Sequence, residues 1–147
     1  MVMEKYILDT CTWIEWFQRR NGVPEHVRAV GRQRLYVSEV SLAELTFGAY
    51  NSSDYERHIQ EPDILRMTAT VFDISDVFHE YAQIRCALRK MKKSLDKEIG
   101  NFDILIGATA LHYGLTVVTD NVADFCLMPG VKVENWVERE SRGQVFD

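Results

Sequence analysis

The sequence predicts an α/β domain built on a central, mostly parallel sheet of about five strands, with helices on both faces. Two patterns support this prediction. Short apolar runs rich in branched and aromatic residues alternate with longer segments of helical periodicity. In addition, the 147 residues contain no repeat or Pro/Gly-rich linker that would divide them. Because strands that alternate with helices are typical of parallel sheets, we expect one domain over residues 1–140, followed by a short tail over 141–147.

The first half of the chain contains two predicted strands, over residues 6–8 and 35–40. Helices are predicted over residues 12–19, 24–31, 41–48 and 55–67, and Asn21-Gly22 ends the first of them. Pro62 is expected to bend or interrupt the last of these helices. Ser41 and Glu44 have the spacing of a capping box, which predicts a helix that begins at Ser41 with Glu44 in its first turn.

The second half contains three further predicted strands, over residues 70–74, 115–119 and 131–134. Ser75 is expected to cap a long amphipathic helix that reaches residue 93. Asn101 is expected to cap another helix over residues 102–113, which Gly114 ends. The turn at Pro129-Gly130 leads into the last strand.

Acidic residues follow the predicted strands. Asp9 comes directly after the first strand, and Asp120 directly after the fourth, with Asp124 four residues later. Glu44 follows the second strand, and Asp103 lies in the first turn of the helix before the fourth strand. Ligands of doubly wound sheets bind beyond the carboxyl ends of the strands, so these acids are expected to converge in one pocket.

A converged acid cluster indicates metal-dependent phosphodiester hydrolysis. That reaction places extra negative charge on the phosphate and the leaving oxygen, which divalent ions stabilise. Mg²⁺ and Mn²⁺ prefer carboxylate oxygens. Without a cation, two carboxylates about 4 Å apart repel each other by about 4 kcal/mol.

Each acid also has an explanation that involves no catalysis, as a helix cap, a dipole partner or a turn residue. The hydroxyls of Thr10 and Thr119 either orient Asp9 and Asp120 or only end their strands.

Several other classes of protein do not fit the sequence. Three widely spaced cysteines, Cys11, Cys86 and Cys126, are expected to be reduced and mostly buried rather than paired or zinc-binding. The four histidines show no metal-ligand spacing, and no Gly-rich nucleotide-binding loop is present. A receiver-like phosphoacceptor domain would need an acidic pair near the first strand, whereas Asp9 has no adjacent acid. With neither a membrane-spanning run nor a signal peptide in the sequence, we expect a cytoplasmic protein.

Two surface features leave alternatives open. The net charge of −5 disfavours general attraction to nucleic acid, but Arg85, Arg89 and Lys93 belong to a local basic run. This run either steers RNA towards the acids or is a solvated helix face. Trp13, Trp16 and Phe17 share one helix face and either pack in the core or form a partner or dimer surface.

Four segments together resemble the PIN-domain ribonucleases, in particular toxins of VapC type. Residues 6–10 are similar to the family's opening strand with its catalytic Asp followed by Thr. Residues 40–48 and 101–110 resemble its second and third acidic motifs. Residues 117–125, with 129–131 and 134–136, resemble its C-terminal motif. The motifs occur in the family's order and span nearly the whole chain.

This resemblance implies a PIN-like fold and Mg²⁺- or Mn²⁺-dependent cleavage of RNA by a toxin that pairs with an antitoxin and forms a homodimer. By motif position, Asp9, Glu44 and Asp103 carry over as catalytic, metal-binding acids, with Asn101 in a supporting role. The family places a fourth acid at the position of Asp120, of Asp124 or of both. This chain has both, and Asp120 is expected to lie closer to the metal. Cys11 departs from the family, where Asn or Ser is common. A PIN-like protein that binds RNA or a partner without cleavage is the remaining alternative.

Overall fold

A five-stranded sheet forms the centre of the computed structural model, which describes residues 3–91 and 98–139. Its order is β3-β2-β1-β4-β5, and each neighbouring pair is parallel. The strands are β1 (Tyr6–Leu8), β2 (Leu35–Ser38), β3 (Thr70–Phe72), β4 (Thr116–Val118) and β5 (Lys132–Glu134). The prediction of a parallel sheet of about five strands is therefore confirmed, and β1 lies at its centre.

Eight α-helices connect the strands within the described ranges. They are α1 (Thr10–Phe17), α2 (Val23–Val30), α3 (Glu39–Tyr50), α4 (Tyr55–His58), α5 (Glu61–Thr68), α6 (Phe78–Lys90), α7 (Asn101–Tyr113) and α8 (Val122–Phe125). The predicted helix over 55–67 is two helices, α4 and α5. Pro62 lies in the first turn of α5, where a backbone N–H would have no partner within the helix, so the missing N–H of proline costs no hydrogen bond. A short 3-10 helix, Arg32–Arg34, and α8 were not predicted, because segments this short carry little periodicity.

Apolar side chains cover both faces of the sheet. Successive residues of a strand point to opposite faces, and Ile7 and Val117 join one buried cluster whereas Leu8 and Val118 join the other. The first cluster lies against α6, α7 and α8, and the second against α1, α2 and α5. The prediction of helices on both faces is confirmed. No helix in the described ranges is long and apolar enough to cross a membrane.

The helix after β2 begins earlier than the sequence suggested. Ser38 is its N-cap and accepts a hydrogen bond from the backbone N–H of Val40. The predicted capping box at Ser41 is therefore wrong, and Glu44 lies in the second turn of α3 instead of the first. Ser41 is buried, and its hydroxyl lies within hydrogen-bond distance of the Thr10 hydroxyl.

Two other predicted caps are also wrong. Gly100 precedes α7 as its N-cap, and Asn101 is the first helical residue. Ser75 donates its hydroxyl to Asp73 within a turn, and α6 begins only at Phe78. Local side-chain hydrogen bonds of this kind compete with helix capping. The predicted end of the α6 helix at residue 93 lies outside the described residues.

The three cysteines are free, as predicted, but they are exposed and not buried. Each falls on the outer side of a helix or at a helix end, where the core cannot reach it.

Candidate active site

Asp9 occupies the centre of the carboxyl edge of the sheet. It directly follows β1, and its side chain caps α1. One carboxylate oxygen, Oδ1, accepts hydrogen bonds from the backbone N–H of Thr12 (2.9 Å) and from its hydroxyl (2.7 Å). The other, Oδ2, accepts one from the Thr119 hydroxyl at the end of β4 (2.5 Å). The side chain is thus held in one orientation from α1 and from the end of β4.

Asp9 is only 4% exposed. Burial raises the pKa of its carboxyl, the hydrogen bonds from Thr119 and Thr12 partly oppose that rise, and the charge of Asp120 adds to it. All three donors to Asp9 are neutral groups. A buried carboxylate that lacks a cationic partner among these contacts fits a position beside a metal ion.

Glu44 is brought to the same edge by α3. Its Oε1 accepts a hydrogen bond from the Thr10 hydroxyl (2.5 Å), which lies 2.9 Å from the Ser41 hydroxyl. Both threonines thus orient acids, but different ones from those expected: Thr10 contacts Glu44 rather than Asp9, and Thr119 contacts Asp9 rather than Asp120. Each threonine therefore contacts an acid of another element and not the acid next to it in the chain.

The pKa of the Cys11 thiol is affected by several of the predicted site acids. Partial burial of the sulfur, with a smaller contribution from the charges of four carboxylates, raises its pKa to about 11. These are Asp9, Asp103, Glu44 and Asp120, the four predicted catalytic acids. Because such effects fall off with distance, the four charges lie on the same side of the molecule as Cys11.

The first helical turn of α7 carries Asp103. This helix packs closely on the segment after α8. At Gly107 there is no room for a side chain, since a Cβ there would lie 2.4 Å from Sδ of Met128. Asn101 accepts a hydrogen bond from the Tyr81 hydroxyl (2.8 Å), which ties the start of α7 to α6.

The chemistry of the donors fits a hard divalent cation such as Mg²⁺ or Mn²⁺. Within residues 3–91 and 98–139, however, no three acidic, histidine or cysteine side chains are grouped tightly enough to hold one ion as they stand. Mutual repulsion favours such separation of the carboxylates.

Asp120 has quite different surroundings from Asp9. Arg139 donates from both terminal nitrogens, Nη1 to Oδ1 (2.8 Å) and Nη2 to Oδ2 (2.7 Å). Asn135 donates a longer bond to Oδ1 (3.1 Å). The hydrogen bond from Arg139 is the main reason that the pKa of Asp120 lies below its usual value.

Asp124 lies on α8, where its Oδ2 accepts a hydrogen bond from the side-chain amide of Asn121 (2.8 Å). The charge of Asp120 acts on both Asp9 and Cys11. Whether Asp120 or Asp124 lies closer to a bound metal stays a prediction.

Sequence reasoning missed Thr12, Ser41 and Arg139. Thr12 follows Asp9 at the spacing of an N-cap bond, so that local pattern could have revealed it. Ser41 and Arg139 are 31 and 19 residues from their partners, and no local pattern pointed to them. Of the predicted RNA-binding residues, Arg85 and Arg89 are exposed on α6, and Lys93 lies outside the described residues.

A surface pocket of about 660 Å³ lies at α1, α2 and α5, and none of the predicted catalytic acids lines it. Trp13 is fully buried in the core, as one of the two alternatives predicted. Trp16 and Phe17 are half-buried and line the pocket together with Pro24, Val27, Arg28 and Ile64.

Comparison with known proteins places the whole arrangement in one family. The family model of the PIN domain matches residues 6–128. The tRNA(fMet)-specific endonuclease VapC of Salmonella typhimurium is 34% identical over 91% of this chain and 99% of its own. Ribonuclease VapC2 of Haemophilus influenzae is 33% identical over 92% and 100%.

Solved structures agree with these relatives. The DNA-bound VapBC from Salmonella typhimurium matches with a TM-score of 0.80 and 29% identity, over 91% of this chain and 99% of that one. VapBC2 from Rickettsia felis, bound to a promoter DNA fragment, matches with a TM-score of 0.77 and 27% identity, over 89% and 98%.

Proposed function

The chain belongs to the PIN-domain family, and on that premise we propose that it is a metal-dependent endoribonuclease, the VapC-type toxin of a toxin–antitoxin pair. One observation carries the proposal: the hydroxyls of Thr119 and Thr10 hold Asp9 and Glu44 at the carboxyl edge of the sheet, and the charges of both acids, with those of Asp103 and Asp120, act on the Cys11 thiol. The ribonuclease names of the relatives support the same reaction.

Asp9, Glu44 and Asp103 would hold an Mg²⁺ or Mn²⁺ ion, with Asp120 or Asp124 as the fourth acid. Bound there, such an ion supplies Lewis acidity for the phosphate and a hydroxide nucleophile near neutral pH. Asp9 retains about one acceptor position beyond the three used by Thr12 and Thr119, since a carboxylate has about four.

The protein's own contribution is to fix the ligands in advance. Thr119 and Thr12 hold the two oxygens of Asp9, and Thr10 holds Glu44. Residues that orient metal ligands in this way typically change metal affinity or activity about 10–100-fold when they are removed. Asn101 supports the site more indirectly, by fixing the start of the helix that carries Asp103.

The proposed partners are an RNA substrate, a cognate antitoxin and a second copy of the chain, and the proposed location is the cytoplasm. The Salmonella and Rickettsia neighbours are VapBC complexes, which supports an antitoxin partner. The half-buried Trp16 and Phe17 offer an apolar surface on which an antitoxin helix would pack. Tryptophan fluorescence that does not change when the antitoxin binds would count against this placement.

Arg85, Arg89 and Lys93 are proposed to attract the RNA. If they do, replacing Arg85 and Arg89 with Gln lowers the salt dependence of RNA binding, and an unchanged dependence rejects the role.

The decisive experiment is cleavage of a structured RNA pool by the purified protein with EDTA, Mg²⁺ or Mn²⁺. An Asp103→Asn variant is the matched control, because amide for carboxylate preserves shape and removes charge. Metal-dependent cleavage that the variant lacks supports the proposal. No cleavage with any metal, by folded protein free of antitoxin, favours the alternative of a PIN-like protein that binds RNA or a partner without cleaving.

A further inference from the structure

The two-pronged contact between Arg139 and Asp120 places a cation at the edge of the acid site. We propose that Arg139 is a phosphate-binding residue for the substrate, held on Asp120 in the free protein and transferred to a backbone phosphate when RNA enters. The inference rests on the proposed function, since it takes RNA as the substrate of this site.

The geometry of the contact suits such an exchange. A guanidinium binds two oxygens of a carboxylate and two oxygens of a phosphate with the same fork of N–H donors. The side chains of Arg139 and Asp120 are 59% and 36% exposed, so water and ligands reach both. Ion pairs this exposed contribute little net stability, and exchanging one oxygen pair for another costs little.

The segment that carries Arg139 is firmly anchored. Trp136 is 1% exposed, its ring stacks on His26 and meets the edge of Tyr6, and its N–H donates to Glu134. Two residues on, the backbone N–H of Glu138 donates to the carbonyl of Asn21 (2.7 Å). The backbone therefore presents the Arg139 side chain at a fixed place.

That place lies beside the catalytic edge. Asp120 directly follows Thr119, whose hydroxyl holds Asp9. The chain has a net charge of −5, and the charges of four acids, Asp9, Glu44, Asp103 and Asp120, act on the Cys11 thiol beside this edge. A cation already positioned at this edge would offset the repulsion between the acids and the RNA backbone.

The competing explanation is that the pair only ties the segment after β5 to the end of β4. The two explanations predict different results when RNA binding is measured. A tie changes stability alone, whereas a phosphate-binding residue changes RNA affinity and its salt dependence.

The test uses full-length protein in an Asp103→Asn background, so that RNA is bound without being cut, and a fluorescein-labelled 12-nucleotide RNA. Fluorescence anisotropy is measured over a series of salt concentrations for Arg139→Gln, Arg139→Lys and the matched charge control Arg66→Gln. Arg66 is exposed on α5, which packs beside β3, three strands from β4 in the sheet.

We expect Arg139→Gln to weaken RNA binding about fivefold to twentyfold and to reduce the magnitude of the salt slope by about 0.7, the loss of one phosphate contact on a single strand. Arg139→Lys should retain the slope and recover only part of the affinity, because an ammonium lacks the fork. An Arg139→Gln protein with the affinity and slope of the Arg66→Gln control overturns the proposal.

Manganese binding without RNA gives a second readout. Arg139 competes with any incoming cation for Asp120. The Arg139→Gln variant of the otherwise unchanged protein should therefore bind Mn²⁺ several-fold more tightly. The electron paramagnetic resonance signal of free Mn²⁺ measures this binding. RNA binding weakened together with Mn²⁺ binding would indicate general damage to the site and overturn the exchange. Wild-type protein that binds RNA through Arg139 but never cleaves it would refute the ribonuclease proposal and leave this one standing.

Discussion

Asp9 and Asp120 follow neighbouring parallel strands at the same edge of the sheet, yet their surroundings are opposite in kind. Asp9 is buried, its hydrogen-bond donors are neutral, and its pKa is raised by burial. Asp120 is partly exposed, is held by an arginine, and has a lowered pKa. Position after a strand is thus enough to predict which acids lie at this edge, whereas the charge and burial around each acid depend on tertiary contacts. The hydrogen-bond donors to Asp9 include no cation, whereas Arg139 donates to both oxygens of Asp120.

Replacing each acid by its amide gives the largest expected contrast. Asp9→Asn should reduce RNA cleavage more than about a hundredfold, since even residues that only orient a ligand typically cost 10–100-fold. Asp120→Asn should cost about tenfold, because its charge is partly neutralised by Arg139 and Asp124 lies nearby in the chain. Initial rates with Mg²⁺ and Mn²⁺, on proteins of matched circular dichroism, measure both. Equal losses in the two variants would remove the contrast.

Metal-dependent stability sharpens the same comparison without any RNA. At about 100 times its dissociation constant, a metal that binds only the folded state stabilises it by about 2.7 kcal/mol. We expect Mn²⁺ to raise the free energy of unfolding of the wild type by this amount and that of Asp120→Asn by most of it. Asp9→Asn should gain little. Urea unfolding with MnCl₂ or EDTA measures these differences, and a full Mn²⁺ effect in Asp9→Asn would contradict the central position of Asp9.

The hydroxyl of Thr119 makes one of the contacts between the ends of β1 and β4. Thr119→Val keeps the shape of the side chain but removes the hydroxyl that donates to Asp9, so cleavage should fall about 10–100-fold. Thr119→Ser, which keeps the hydroxyl, should restore most of the activity and serves as the control. If Ser and Val variants behave alike, the hydrogen bond to Asp9 has no role in orienting it.

The smallest expected effect is a pair of pH dependences of opposite sign in EDTA. The lowered pKa of Asp120 means that its charge stabilises the fold above the unfolded value of about 3.9, and that this contribution is lost as the pH falls through the folded pKa. Because the pair with Arg139 is exposed, Asp120→Asn should cost under about 1 kcal/mol at pH 7.

Asp9 should behave in the opposite sense. Its raised pKa means that ionised Asp9 destabilises the metal-free fold at neutral pH, and that this penalty disappears once the pH is below about 3.9. Asp9→Asn should therefore be more stable than the wild type at pH 7 and equal to it near pH 3. Urea unfolding across this range checks both variants, and a destabilised Asp9→Asn protein at pH 7 would show that burial is not what controls Asp9.

Much of this arrangement could be predicted from local patterns. Apolar runs identified all five strands, and Asp9 directly follows β1 as predicted, whereas β4 ends at Val118, one residue earlier than predicted, so that Thr119 separates it from Asp120. Helix starts were less predictable: Ser38 rather than Ser41 caps α3, and Gly100 rather than Asn101 precedes α7. Several polar residues near a helix start compete for the same backbone groups, so sequence alone does not select the one that wins.

By itself, then, the sequence determined the alternation of strands and helices, the parallel sheet, and the set of acids at its edge, because each depends on periodicity or on position relative to a strand. Three contacts follow from tertiary packing alone: Thr119 donates to Asp9, Thr10 donates to Glu44, and Arg139 donates to Asp120. These contacts join residues from 19 to 110 positions apart. They exist because parallel packing brings the ends of distant strands together, and no local pattern records which side chains then meet.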